Sequence, residues 1–141
     1  METINWRYGS ILNDGHICDI ESQLSVVFPS DYRVLVAKHN GGRPTPNAVD
    51  VPNAREVVLE RLLRLEAGAK ENVLNATGVL RERGRKDLVP FARDPFGNFF
   101  CFRFVGKSAD AVVLWEHEEG RSTPICKTFS ELLRLLHSPD V

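Results

Sequence analysis

A carboxylate and an amide that can hold a cation or a water sit together at Asp94 and Asn98, within Arg93-Asp94-Pro95-Phe96-Gly97-Asn98. A calcium loop needs ligand oxygens alternating over about twelve residues. Here only these two qualify, and the aromatic run Phe99-Phe100-Cys101-Phe102 follows at once. General acid–base chemistry needs a second carboxylate or a His converging on the first, and Asp94 has no such neighbour in sequence. Pro95 presets φ for the second position of a turn, and Gly97-Asn98 accepts positive φ. The stretch therefore reads as a β-turn that feeds a buried strand.

Glu116, His117, Glu118 and Glu119 could ligate zinc, but the segment leaves a strand and lacks the helical His-Glu-x-x-His spacing. It reads as the solvated end of a hairpin. The other histidines, His16, His39 and His137, are scattered. Cys18, Cys101 and Cys126 include no close pair, which argues against a disulfide framework or a zinc knuckle. None shows the setting of a nucleophile. His39-Asn40-Gly41-Gly42 follows a helical pattern rather than a strand, so its glycines close a helix and do not cradle phosphate. Asn75-Ala76-Thr77 fits the glycosylation pattern, but no secretion signal precedes it. Arg81, Arg83, Arg85 and Lys86 form a modest basic cluster, suited to the negative end of a helix dipole. No catalytic constellation survives, so a binding protein is expected, with no metal and no cofactor.

The totals agree. The chain of 141 residues has a formal net charge of -1, with 18 basic and 19 acidic residues. That balance lacks the concentrated positive field of a general nucleic-acid binder. No apolar segment approaches the roughly 20 residues that span a bilayer. A reduced, cytoplasmic protein is expected, with neither nucleic acid nor membrane as a direct partner.

Several elements are legible. Ile17, Ile20 and Leu24 give an apolar helical face, with Asp14 as N-cap and Phe28-Pro29 as the stop. Pro29-Ser30 starts a second helix, on which Tyr32, Leu35 and His39 share a face, and Asn40-Gly41-Gly42 ends it. A short strand is expected near Ala48 to Val51. Val57 to Leu65 fits strand and helix equally well. Val73, Ala76 or Thr77, and Leu80 mark a helix stopped by Gly84. Three runs rich in Val, Phe and Trp then form an antiparallel meander, and Thr123 to Thr128 adds a possible strand. The final helix opens on a Thr128–Glu131 capping box, carries Phe129, Leu132, Leu133 and Leu136 on one face, and stops at Pro139.

Read together, these stretches resemble the SUKH superfamily of SMI/KNR-like proteins. Asp19 to Gly42 resembles its N-terminal signature through Glu21, Pro29, Asp31, Tyr32, Arg33, Asn40, Gly41 and Gly42. Asp94, Gly97 and Asn98 fit its central turn, Trp115 its aromatic strand position, and Thr128 to Leu136 its terminal helix. The resemblance implies one α+β domain over residues 1–141, with a twisted, mainly antiparallel sheet flanked by helices. Its parts are an N-terminal arm at 1–13, helices at about 14–40, a sheet region at about 47–128 and a C-terminal helix at about 128–137. It implies that Val57 to Leu65 is extended, and that Glu21, Pro29, Tyr32, Asn40, Gly41, Gly42, Asp94, Gly97 and Asn98 are structural framework.

For function, the resemblance implies a non-enzymatic immunity protein, a monomer or weak homodimer. Such a protein binds a cognate toxin domain, often a nuclease, and occludes its active site. The alternative is a regulatory interaction module acting on a housekeeping partner. Asp50, Glu116, Glu118 and Glu119 are the expected phosphate-mimicking contacts, with Trp115 as an aromatic anchor.

Overall fold

The computed structural model describes residues 3–52 and 55–139. Strand β1 (Asn5–Arg7) precedes two helices, α1 (Asp14–Leu24) and α2 (Ser30–His39). Strand β2 (Arg43–Thr45) pairs antiparallel with β1, so the described part of the N-terminal arm packs on the body; Met1 and Glu2 lie outside the described residues. Strands β3 (Ala48–Asp50) and β4 (Glu56–Val58) form a second antiparallel pair. Then come β5 (Arg61–Leu62), α3 (Val73–Glu82), and strands β6 (Leu88–Arg93), β7 (Phe99–Val105), β8 (Ser108–Glu116) and β9 (Arg121–Cys126). Helix α4 (Phe129–Leu135) follows. Strands β5 to β9 form one sheet in sequence order, antiparallel throughout. The fold is α+β, as expected.

Strand alternation explains why this sheet is covered on both faces. Phe100, Phe102 and Phe104 of β7, with Val112 and Leu114 of β8, belong to the main core, together with Ile17, Ile20, Tyr32, Val36 and Phe129 from the helices. Cys101, Val113 and Trp115 belong to a second cluster with Leu80 of α3. Tyr32 is the centre of the main core. Its ring meets those of Phe28, Phe91, Phe102 and Phe129 edge-on at 5.1, 5.9, 5.1 and 5.4 Å between centroids. This edge-to-face geometry is the one aromatic quadrupoles favour.

Four local expectations change. Asn13, not Asp14, caps α1, accepting the His16 N–H. That helix ends at Leu24, earlier than Phe28-Pro29, because Ser25 turns left-handed (φ 58) and its neighbour Val26 donates back to the Glu21 carbonyl. Val36 joins Tyr32 as a fully buried residue of α2, whereas Leu35 and His39 are half-buried. The capping box of α4 forms in part. Thr128 Oγ1 accepts the Glu131 N–H, while the Glu131 carboxylate reaches the Lys127 N–H instead of that of Thr128.

Candidate functional site

The turn between β6 and β7 is built from the inside. Asp94 is buried, and its Oδ1 accepts the N–H groups of Phe96 and Asn98 at 2.9 and 2.7 Å. Its Oδ2 accepts Asn98 Nδ2 at 2.8 Å. Asn98 Oδ1 in turn accepts the His117 backbone N–H at 3.1 Å, from the turn between β8 and β9. The His117 ring lies over Gly97 with Nε2 3.0 Å from the Phe96 carbonyl, the distance of a donated hydrogen bond. Gly97 has φ +90, a conformation glycine adopts without strain. Both Asp94 oxygens are thus engaged in holding the turn, as the sequence reading expected.

The two fastened turns enclose one cleft. Arg55, Phe96, Asn98, Glu116, His117, Glu118 and Glu119 line about 300 Å³ of it. Phe96 projects from the rim and is 75% exposed, unusual for a phenylalanine. Glu118 and Glu119 are exposed and have no hydrogen-bond or ion-pair partner among the described residues. Glu116 forms part of the wall. It is 3% exposed, with Arg121 at 3.2 Å and Arg55 at 3.8 Å.

The expected contact residues therefore separate. Glu118 and Glu119 stay available. Glu116 is buried and charge-paired, which removes it as a free phosphate mimic in this conformation. Trp115 is a core residue, 2% exposed, with the Arg83 and Arg85 guanidiniums 5.6 and 5.5 Å from its ring. Those cation–π contacts occupy it and tie the basic end of α3 to the sheet. Asp50 does not line the cleft. It ends β3, where it faces Glu56 across the strand pair and meets His137 Nε2 at 3.2 Å. Sequence reasoning missed Phe96 and Arg55. The signal for Phe96 was its place between Pro95 and Gly97, at a turn tip where an apolar ring finds no core.

The framework residues fasten elements together. Glu21 accepts the Phe28 N–H at 2.6 Å and pairs with Arg33 at 3.5 Å, fixing the passage from α1 to α2. Pro29 occupies the N-cap position of α2. Asp31 accepts the N–H and hydroxyl of Ser130 at 2.9 and 2.8 Å, joining α2 to α4. Asn40 is fully buried; its Oδ1 accepts the Leu65 N–H at 3.0 Å and its Nδ2 donates to Glu66. Gly41 has φ +74, and a Cβ on Gly42 would stand 2.9 Å from the His39 carbonyl oxygen.

Burial pushes the Cys101 thiol well up, and pushes that of Cys126 up to about 11. The Ser138 carbonyl that His137 Nδ1 faces at 2.8 Å, followed by Asp50 and Glu56, raises the His137 imidazole above its ordinary value.

A sheet covered on both faces, helices tied by half-buried carboxylates and a buried amide, and a cleft at the turn end together describe an SMI/KNR-like α+β protein. The chain belongs to the SMI1-KNR4 cell-wall family (SUKH_6), whose model matches residues 14–133. No curated protein matches the sequence. Among the described residues, no helix is long and apolar enough to cross a membrane.

Proposed function

We propose that this protein is an immunity protein that binds a cognate toxin domain and occludes its active site through the cleft between the two fastened turns. The observation that carries the reading is Phe96, 75% exposed on a turn whose base is locked by Asp94, Asn98 and His117. An aromatic side chain carried on a backbone turn that is fixed before binding loses less entropy on docking, and aromatic anchors supply most of the affinity in protein interfaces. Glu118 and Glu119 rim the same cleft with unneutralised charge. Against a nuclease they would stand where substrate phosphates lie and would speed the encounter. Family membership supports a protein partner and a non-catalytic role.

Co-expression with the C-terminal toxin domains encoded in the genomic neighbourhood tests the reading. Rescue of growth and a complex that survives size exclusion are expected. Growth arrest despite soluble expression of this chain would sink it, and a regulatory interaction module would then be the better account.

A further inference from the structure

The cleft between the two turns holds a buried carboxylate as well as exposed ones. Glu116 is 3% exposed and forms part of its wall. Its Oε1 accepts the Arg121 Nε–H at 3.2 Å. Its Oε2 accepts no hydrogen bond from the described residues. Arg55 Nη1 stands 3.8 Å from that oxygen, in ion-pair range but beyond hydrogen-bond reach. The Arg55 side chain is more than half exposed, so this pairing is loose. A buried carboxylate oxygen is stabilised by donated hydrogen bonds, and Oε2 has room for a further donor.

The charge of the cleft selects the sign of that donor. Glu116, Glu118 and Glu119 line it against the guanidinium of Arg55. With Arg121, which Glu116 holds, the balance is still three carboxylates to two guanidiniums. A cation is attracted there and an anion repelled. The ring of Phe96, projecting from the same rim, selects among cations. A guanidinium stacks on an aromatic face while its planar fork of N–H groups reaches carboxylates around it. An ammonium is a compact, strongly hydrated point charge and makes less use of such a ring. The volume of about 300 Å³ lies at the small end of ligand sites. It suits one long side chain.

We propose that the cleft is a socket for one arginine side chain of the protein partner, its guanidinium over Phe96 and among the carboxylates of Glu116, Glu118 and Glu119. The assignment rests on the cleft being the docking place of that partner, and it names what enters. Arg55 swings aside as the incoming fork takes Oε2. Guanidiniums hold phosphate by the same bidentate geometry, so an arginine seated here is withdrawn from any phosphate it would otherwise bind. In a nuclease, that is occlusion of the substrate site.

The probe is Nα-acetyl-arginine methylamide, titrated into the isotope-labelled full chain and followed through the backbone amide resonances. Saturable shifts confined to Phe96–Asn98 and Glu116–Glu119 are expected, with roughly millimolar affinity. The uncharged citrulline analogue should leave those resonances in place, and the lysine analogue should bind more weakly. Phe96→Ala, and Glu118→Gln together with Glu119→Gln, should each weaken the arginine probe at least about threefold. All three side chains are exposed, so these variants keep the fold. Asp19→Asn, on the exposed side of α1, should change nothing. Absence of saturable shifts, equal binding of the citrulline or lysine analogue, or full affinity in both cleft variants would overturn the socket. A toxin complex that forms while the cleft ignores the probe sinks the socket alone. A cleft that takes the probe while no toxin is neutralised supports the socket and sinks the immunity reading.

Discussion

The Asn98 side-chain carbonyl accepts the His117 backbone N–H at 3.1 Å, so the turn between β6 and β7 is fastened to the turn between β8 and β9. The donor belongs to the turn that carries Glu118 and Glu119, and the acceptor to the turn that carries Phe96. Together with the His117 ring against the Phe96 carbonyl at 3.0 Å, this link makes one rim out of two loop tips.

Asp94 is the base of that arrangement. Asp94→Ala leaves the N–H groups of Phe96 and Asn98 and the Asn98 amide without their acceptor. Losing hydrogen bonds to a buried charge should cost about 3 kcal/mol of stability. Urea unfolding measures it; a loss within error would mean that the turn holds itself.

Tyr32 separates packing from polarity. Its hydroxyl is buried and has no hydrogen-bond partner among the described residues, and burial pushes the phenol well above its usual range. Tyr32→Phe should leave stability within about 1 kcal/mol, in the stabilising direction. Tyr32→Ala should cost about 3–5 kcal/mol, because four rings lose their common neighbour. Thermal unfolding of the two variants checks the contrast.

The three thiols should react in order of access. Cys18 is exposed, Cys126 half-buried and Cys101 buried. Maleimide labelling at neutral pH should reach Cys18 first and Cys126 slowly, with Cys101 reacting only after unfolding. Rapid native labelling of Cys101 would contradict the second core cluster.

Acid should remove one defined contribution. The Arg85 guanidinium donates to both Asp87 oxygens at 3.1 Å and holds that carboxyl below its ordinary value. A depressed folded-state value gives stability that is present above the unfolded carboxyl value and is lost as pH falls through the folded one. The drop in melting temperature from pH 7 to pH 3 (roughly spanning the carboxylate range) should therefore shrink in Asp87→Asn. An unchanged drop would remove Asp87 from the acid response.

Much of this was legible in the sequence, for local reasons. The apolar spacing of Ile17, Ile20 and Leu24, the Thr128 cap and the Asp94-to-Asn98 turn all act within a few residues. What stayed open depended on distant partners. Val57 to Leu65 fits two periodicities, and the resemblance to the family implied an extended chain. In the structure it is extended because Leu59 N–H finds the Asn47 carbonyl, Leu62 that of Gly42 and Leu63 that of Phe91. Trp115 and Glu116 follow one another in sequence, yet both are buried, one under α3 and the other beneath two arginines. The meeting of Asp50 with His137 depends on a backbone bridge that no spacing rule reveals.

The central claim is that the cleft rim binds the partner, and the most direct test is the affinity of one cognate toxin domain for three forms of this protein. They are the unaltered chain, Phe96→Ala, and the double charge reversal Glu118→Lys with Glu119→Lys. An anchor worth about 2 kcal/mol or more predicts a loss of roughly thirtyfold in Phe96→Ala, at unchanged stability. The charge reversal should mainly slow association, and more so at low salt. Full affinity in both variants would place the interface elsewhere and contradict the account.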